Sequence, residues 1–212
     1  RRWRDHLQLR LIEHFGEEQG AGLFRTYAEA FPDNYRGEYL PRVAVADIEK
    51  IQSLRDEEDL GLSLYNRNSS LGSGLHLKIY RLGEAIGLAS TLDILENLGV
   101  EAIEERPYRI SPIGRLPVWI SDFGLKLSTA IENPLTRQYF QEAFAQVYLG
   151  RIDNDGFNQL VLLAGLEWRE ANLLRAGWRY LRQCGAGFSQ RYVERCLAHH
   201  PVIAAKLIEL FH

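Results

Sequence analysis

Between Val43 and Leu127 the chain reads as six elements in turn, and their order limits the fold more than any other feature. VAVADIEKIQSL (43–54) repeats at helical spacing, DLGLSLYN (59–66) reads as a strand, and LHLKIYRL (75–82) alternates apolar with polar. SSLGSG (69–74) is a turn that makes these two strands a hairpin. Ser90-Thr91 is expected to cap STLDILENLG, a short helix ended by Gly99. EAIEERPYRI (101–110) and LPVWISDFGLKL (116–127) follow as strands, joined by a turn carrying Pro112 and Gly114. The order α, β, β, α, β, β is the β-α-β-β-α-β of the ferredoxin-like sandwich with its last helix and strand moved to the front. The expectation is therefore an α+β domain at 42–127: a four-stranded antiparallel sheet, two helices on one face, each strand burying one of its sides. The strand near 75–82 should neighbour 101–110 or 117–125.

The flanks are helical. Residues 1–41 should form an N-terminal helical segment, with one helix stopping at Gly16, a second over 23–31 closed by Pro32, and a loop at DNYRGEYLP (33–41). Residues 128–212 should form a C-terminal helical bundle jointed at Gly150, Gly185 and Gly187, with Ser189 as an N-cap and Pro201 at a first helical turn. Within it, one helix is expected from about Asp155 to Gln183. Its core, FNQLVLLAGLEWREANLLRAGWRYLRQ (157–183), has the length of a membrane span, but Arg169, Arg175, Arg179 and Arg182 make that environment too costly. Apolar on most sides, such a helix should be surrounded by protein, its arginines reaching past packed stems to carboxylates or carbonyls. Trp168, Arg169, Arg175 and Arg179 are the expected interdomain contacts.

Composition narrows the class. The 212 residues are 46% hydrophobic and 25% charged, as in folded globular chains. A net charge of −3 provides no global basic field for nucleic acid or an anionic membrane, so neither is expected as a partner. Cys184 and Cys196 fit neither a disulfide framework nor a zinc site, and a reduced, cytoplasmic setting follows. No basic segment followed by an apolar run opens the chain. It has no methionine and begins Arg1-Arg2-Trp3-Arg4, the look of a piece from within a longer polypeptide.

Each motif that could carry chemistry has a plainer reading. Gly72-Ser73-Gly74 leads into a strand rather than a helix N-terminus, so it reads as a turn and not a phosphate loop. Asp153-Asn154-Asp155-Gly156 lacks calcium-loop spacing and reads as a capping turn. His199 and His200 are adjacent and would point about 100° apart on a helix. Cys196 reads as small apolar packing, and Glu96, Glu104 and Glu105 as solvated charge. No catalytic, cofactor-binding or metal residue is assigned.

The segments YAEAFPDNYR (27–36), LHLKIYR (75–81), LDILENLGVEAIEERPY (92–108), DNDGFNQLVLLAGLEWREANLLRAGWRYLRQ (153–183) and FSQRYVERCLAHHPVIAAKLIELF (188–211) resemble, in this order, the large NAD-dependent glutamate dehydrogenases of bacteria. The resemblance implies that 42–127 is the last ACT-like module and that the helices after 134 are the helical motif joining it to a catalytic domain of the same polypeptide. It implies oxidative deamination of L-glutamate with NAD for a parent protein that forms homo-oligomers, while this segment itself has no cofactor. The glycine-rich substrate loop with its lysine and the Gly-x-Gly-x-x-Gly turn of such chemistry do not occur here. ACT-like modules hold an amino acid near the turn after their first strand, which makes Arg81, Gly83, Ala85 and Ser90 the candidate effector contacts. The chain departs from relatives at Ala89-Ser90-Thr91, where Leu-Ser-Asp is usual.

Overall fold

The computed structural model describes residues 2–69, 72–127, 131 and 133–211. The chain divides into two compact units. One comprises residues up to Tyr65, His76–Ile86 and Glu104–Phe123; the other comprises Asn66–Leu75, Gly87–Ile103 and the chain from Gly124 on. A single antiparallel sheet is formed by β1 (Gly61–Ser69), β2 (Gly72–Leu82), β3 (Val100–Ile110) and β4 (Val118–Leu127), in the order β1-β2-β4-β3. That is the order a ferredoxin-like sheet has after its last strand is moved to the front, and β2 lies beside β4 as the sequence predicts. Gly72-Ser73-Gly74 belongs to β2. Ser70 and Leu71 of the hairpin turn lie outside the described residues.

In the first unit, α1 (Arg2–Phe15) and α2 (Glu17–Tyr27) pack closely on each other, and α1 also packs on α4 (Pro41–Gln52). The expected loop at 33–41 is instead a short helix, α3 (Asp33–Glu38), which starts after Pro32 with Asp33 in its first turn and buries Tyr35. Leu40 and Pro41 then open α4, whose buried face is Ala44, Val45, Asp47, Ile48 and Ile51. This face joins Leu7, Leu11, Phe31, Tyr80, Ile110 and Ile120 in one core, so α4 is the sandwich helix that precedes β1.

The expectation that each strand buries one side fails for the central pair. On β2, Leu77 and Ile79 are buried, and so are Lys78 and Tyr80, which alternate with them; on β4, Ile120 and Asp122 are buried together with Ser121 and Phe123. The helices α1 to α4 cover the side that carries Tyr80 and Ile120.

The second unit holds α5 (Leu88–Asn97), α6 (Pro134–Tyr148), α7 (Leu160–Leu163), α8 (Trp168–Gln183), α9 (Gln190–His199) and α10 (Pro201–Glu209). α5 starts two residues earlier than predicted, capped at Gly87; the Ser90 and Thr91 hydroxyls donate back to the Gly87 carbonyl at 3.0 and 2.7 Å. Gly99 ends this segment at φ 81°, a region open to glycine. Ser189 caps α9 by accepting from the Tyr192 amide, and Pro201 stands in the first turn of α10.

The single helix expected from Asp155 to Gln183 is broken. A 3-10 turn at Gly156–Gln159 runs into the four-residue α7, and Gly165 at φ 66° turns the chain. Glu167 then starts α8 with a reciprocal capping box: its side chain accepts from the Glu170 amide, and the Glu170 side chain accepts from the Glu167 amide at 2.8 Å. Apolar periodicity continues across this break, which is why spacing alone reads one helix. α8 is also less enclosed than expected, burying Ala171, Leu174, Arg175 and Trp178 while Leu173, Tyr180 and Leu181 are exposed.

Two glycines of α2 test the α1–α2 packing with opposite signs. A methyl group at Gly20 would fall 2.7 Å from the Ile12 Cα and the Leu11 carbonyl oxygen, both backbone, whereas at Gly22 the nearest atom is an Arg25 nitrogen at 3.8 Å. Gly20→Ala is expected to destabilise by about 1–3 kcal/mol and Gly22→Ala to stabilise by roughly 0.5–1 kcal/mol, read from urea midpoints.

Candidate functional site

The chemistry-bearing groups of the first unit gather where α3 and α4 meet the sheet. On α4 the spacing 44, 47, 48, 51 places a carboxylate, Asp47, on an otherwise apolar face. On β2 the alternation of LHLKIY places His76, Lys78 and Tyr80 on one side. Lys78 Nζ donates to Asp47 Oδ2 at 2.6 Å, the Tyr80 hydroxyl donates to Oδ1 at 2.7 Å, and Tyr35 donates a third short bond. Lys78 and Asp47 are only 2% and 3% exposed. The ammonium also sits 4.0 Å from the centre of the Tyr39 ring, which attracts it through the ring's negative face.

A second carboxylate, Asp122 of β4, is held in the same manner. His76 Nδ1 lies 3.0 Å from Oδ1, the Tyr65 hydroxyl donates to Oδ2 at 2.5 Å, and Tyr39 donates to Oδ2 as well. On its far side His76 Nε2 is 3.9 Å from Glu104, which also receives two bonds from Arg106. Burial alone would push the Asp122 carboxyl up; the bonds from His76, Tyr39 and Tyr65 outweigh it and hold the pKa below the ordinary carboxylate value. Burial, and then the facing carboxylates, push the Tyr35, Tyr80 and Tyr39 hydroxyls far above the usual tyrosine range. Each carboxylate has three hydrogen-bond partners in place of water. Of these residues the sequence reading names only Glu104, as solvated charge, whereas it is half-buried and takes two bonds from Arg106. The available signals were a carboxylate on the buried face of α4 and a lysine within an alternating strand.

The second unit has a counterpart. Arg175, fully buried, donates Nε and Nη2 to the two oxygens of Asp155 at 2.8 and 2.7 Å, and reaches Asn158 and Asn172 at 2.7 Å each. Gln190 of α9 adds a bond to Asp155 at 2.9 Å. The turn 153–156 is thus the anchor that α8 and α9 share, and Arg179 reaches Asp153 at 2.6 Å.

Of the residues expected at interdomain contacts, Arg175 lies inside its own bundle, Arg169 and Arg179 are exposed, and half-buried Trp168 carries the Arg169 guanidinium 4.3 Å above its ring. Of the candidate effector contacts, Arg81, Gly83 and Ala85 fall in the first unit and Ser90 in the second. Gly83, at φ 77°, donates its amide to the Pro117 carbonyl at 2.8 Å, and Arg81 donates to the Glu57 carbonyl at 2.8 Å. Cys184 and Cys196 are both exposed, so Cys196 does not pack in the core as its type suggested. Among the described residues no group of His, Cys, Asp and Glu has a metal-binding arrangement, and no helix is long and apolar enough to cross a membrane.

A permuted ferredoxin-like sheet flanked by helices, with Lys78 and Asp122 buried and paired, defines an ACT-like module in a helical frame. Residues 59–137 match the ACT3 domain of glutamate dehydrogenase, residues 10–54 its helical motif 2 and residues 152–212 its helical motif 3. The chain is 42% identical over 213 residues to the NAD-specific glutamate dehydrogenase of Halomonas elongata and 34% over 213 residues to that of Pseudomonas aeruginosa, with all of this chain aligned in both. It is 35% identical over 192 residues, 87% of the chain, to that of Mycobacterium tuberculosis. The chain belongs to the NAD-specific glutamate dehydrogenase family as its segment from helical motif 2 through ACT3 to helical motif 3. It spans 13% of the length of the first two relatives and 12% of the third.

Two predictions follow from the paired charges. Lys78→Met should cost about 3–5 kcal/mol, because Asp47 is left buried without its cation, and the double variant Lys78→Met/Asp47→Leu should recover most of that in a denaturant cycle. For pH, Asp122 has a folded pKa below its unfolded value, so its contribution is present above roughly pH 4 and is lost as pH falls through the folded value. Asp122→Asn should flatten that acid limb of the stability curve. An unchanged slope below pH 4 would remove Asp122 from the account.

Proposed function

We propose that the chain is a non-catalytic regulatory and scaffolding segment of a bacterial, cytoplasmic NAD-dependent glutamate dehydrogenase. The parent would oxidise L-glutamate with NAD and water to 2-oxoglutarate, ammonia and NADH, as a homo-oligomer whose catalytic domain lies elsewhere in the same polypeptide. In this reading residues 1–41 are the N-terminal helical segment, 42–127 the ACT-like sandwich and 128–212 the motif leading to catalysis. The observation that carries it is the sealing of Asp47, Lys78, Asp122 and Arg175: each is at most 3% exposed and each is engaged by other protein groups. A group that moves protons for a substrate must reach that substrate, and these hold helices to their neighbours instead.

The exposed apolar surface supports the scaffolding half. Phe188 and Tyr192 stack at 5.3 Å with most of their area in water, and Val202, Ile203, Leu210 and Phe211 on and just after α10 are also exposed. An apolar surface of this extent favours a protein neighbour, and the remainder of the long polypeptide of the relatives is the one we assign. A second reading is amino-acid sensing by the ACT-like module with Arg81, Gly83, Ala85 and Ser90 as candidate contacts; it rests on the positive φ of Gly83, a conformation that glycine adopts without strain.

The expected outcome is a separation of effects. Phe188→Asp with Leu210→Asp should leave the melting of the 212-residue chain nearly unchanged, and should lower glutamate oxidation by the full-length protein on the order of tenfold through lost docking. The unmodified 212-residue chain with L-glutamate and NAD should form no NADH above an enzyme-free control, and turnover there would overturn the reading.

A further inference from the structure

A cleft of about 230 Å³ opens in the first unit between the end of α4, the end of β2 and the turn joining β3 to β4. Its walls include Ile51, Leu54, Leu82 and Val118, and Tyr27 and Arg115 bring the polar groups. Arg115 Nη1 donates to Gln52 Oε1 at 3.0 Å, and Gln52 Nε2 donates to the Tyr27 hydroxyl oxygen at 2.6 Å. A guanidinium can only donate, so the Gln52 carbonyl must face Arg115 and its amide nitrogen must face Tyr27. The Tyr27 oxygen is therefore an acceptor in this chain, and its own proton has no acceptor among the described residues, although the residue is fully buried. The Arg115 guanidinium has no carboxylate within ion-pair distance among the described residues. Arg55, also on the rim, is shared with Asp59 at 3.3 Å.

We propose that this cleft binds a small aliphatic carboxylate that carries no ammonium group, of the 2-oxo monocarboxylate class. The polar side chains lining it have donors to give: the Tyr27 hydroxyl proton and the two guanidinium groups. A carboxylate with a neighbouring keto oxygen satisfies them, as charge-assisted bonds from arginine to carboxylate do. The ammonium of an amino acid would meet no carboxylate on the lining. A dicarboxylate would place its second charge against Ile51, Leu54, Leu82 and Val118, where an unpaired charge is costly. The volume is below the roughly 300–1,000 Å³ of sites for drug-sized ligands, which limits the occupant to metabolite size. The proposal concerns this chain's own residues and holds whatever reaction the parent performs.

Titration calorimetry on the 212-residue chain tests it, with 4-methyl-2-oxopentanoate as the probe and L-leucine and 2-oxoglutarate as comparators. The oxo monocarboxylate is expected to bind, with each comparator weaker by about tenfold or more, since each leaves one charge unmatched. Arg115→Gln, at an exposed position that leaves the core intact, and Tyr27→Phe, which keeps the buried ring, should each weaken binding by about tenfold. No heat with the oxo acid at millimolar concentration would overturn the proposal. So would L-leucine or 2-oxoglutarate binding as tightly as the oxo acid, or an affinity unchanged in both variants.

Discussion

Two carboxylates in an interior that tolerates no unpaired charge set the terms for the first unit. Taking an ion out of water costs several kcal/mol even after relaxation, and the cost is repaid only when partners meet the charge with good geometry. Asp47 stands on a helix, and its partners come from α3 and β2; Asp122 stands on a strand, and its partners come from β1, β2 and the Tyr39 that follows α3. Any slip in the register of β2 would turn Lys78 and His76 to the other side and strand both carboxylates. The network therefore specifies which helix meets which strand, a task that apolar contacts alone, being non-directional, perform less strictly.

The aromatic residues make this arrangement dense as well as polar. Tyr35 packs on Phe31, Tyr39 and Tyr108 with ring centres 4.7, 4.7 and 5.4 Å away, and the Trp3 indole donates to the Tyr39 carbonyl at 2.8 Å. Tyrosine suits such a position because it adds a large apolar body to a hydroxyl that must find an acceptor. For Tyr35 and Tyr39 the carboxylates of Asp47 and Asp122 are those acceptors. The same side chains thus fill volume and neutralise charge, so packing and electrostatics in this unit cannot be varied separately.

Periodicity carried the strands and the permuted sheet order because alternation and turn residues are local properties of sequence. It failed where the fold depends on covering. LHLKIYRL reads as a strand with one wet side, since His76, Lys78 and Tyr80 look like solvent-facing residues; their burial depends on the helices of residues 2–52, which no pattern within the strand encodes. The break at Gly165 was hidden for the opposite reason: apolar spacing runs on through it, and the only marks are a glycine and the Glu167–Glu170 pair of a capping box. Arg175 was legible in kind, as an arginine needing a carboxylate, and the turn holding Asp155 was recognised as a cap. That the two meet is a tertiary fact. The Tyr27–Gln52–Arg115 relay had no signature at all, its members being 25 and 63 residues apart.

Sequence motifs and physical units also divide the chain differently. The match to helical motif 2 ends at residue 54 and the match to the ACT3 domain begins at 59, a boundary that falls between α4 and β1. Yet α4 supplies Asp47 and a full apolar face to the sheet, so a sandwich cut at that boundary would expose Lys78 and Tyr80 together with Ile110 and Ile120. Lys78 in water would be at no loss, but the apolar residues around it would, and the ordered hydroxyls would have to compete with solvent for donors and acceptors. A buried ion pair, Asp47 with Lys78, therefore ties the residues matched by helical motif 2 to a strand of the ACT3 match, in addition to the chain itself.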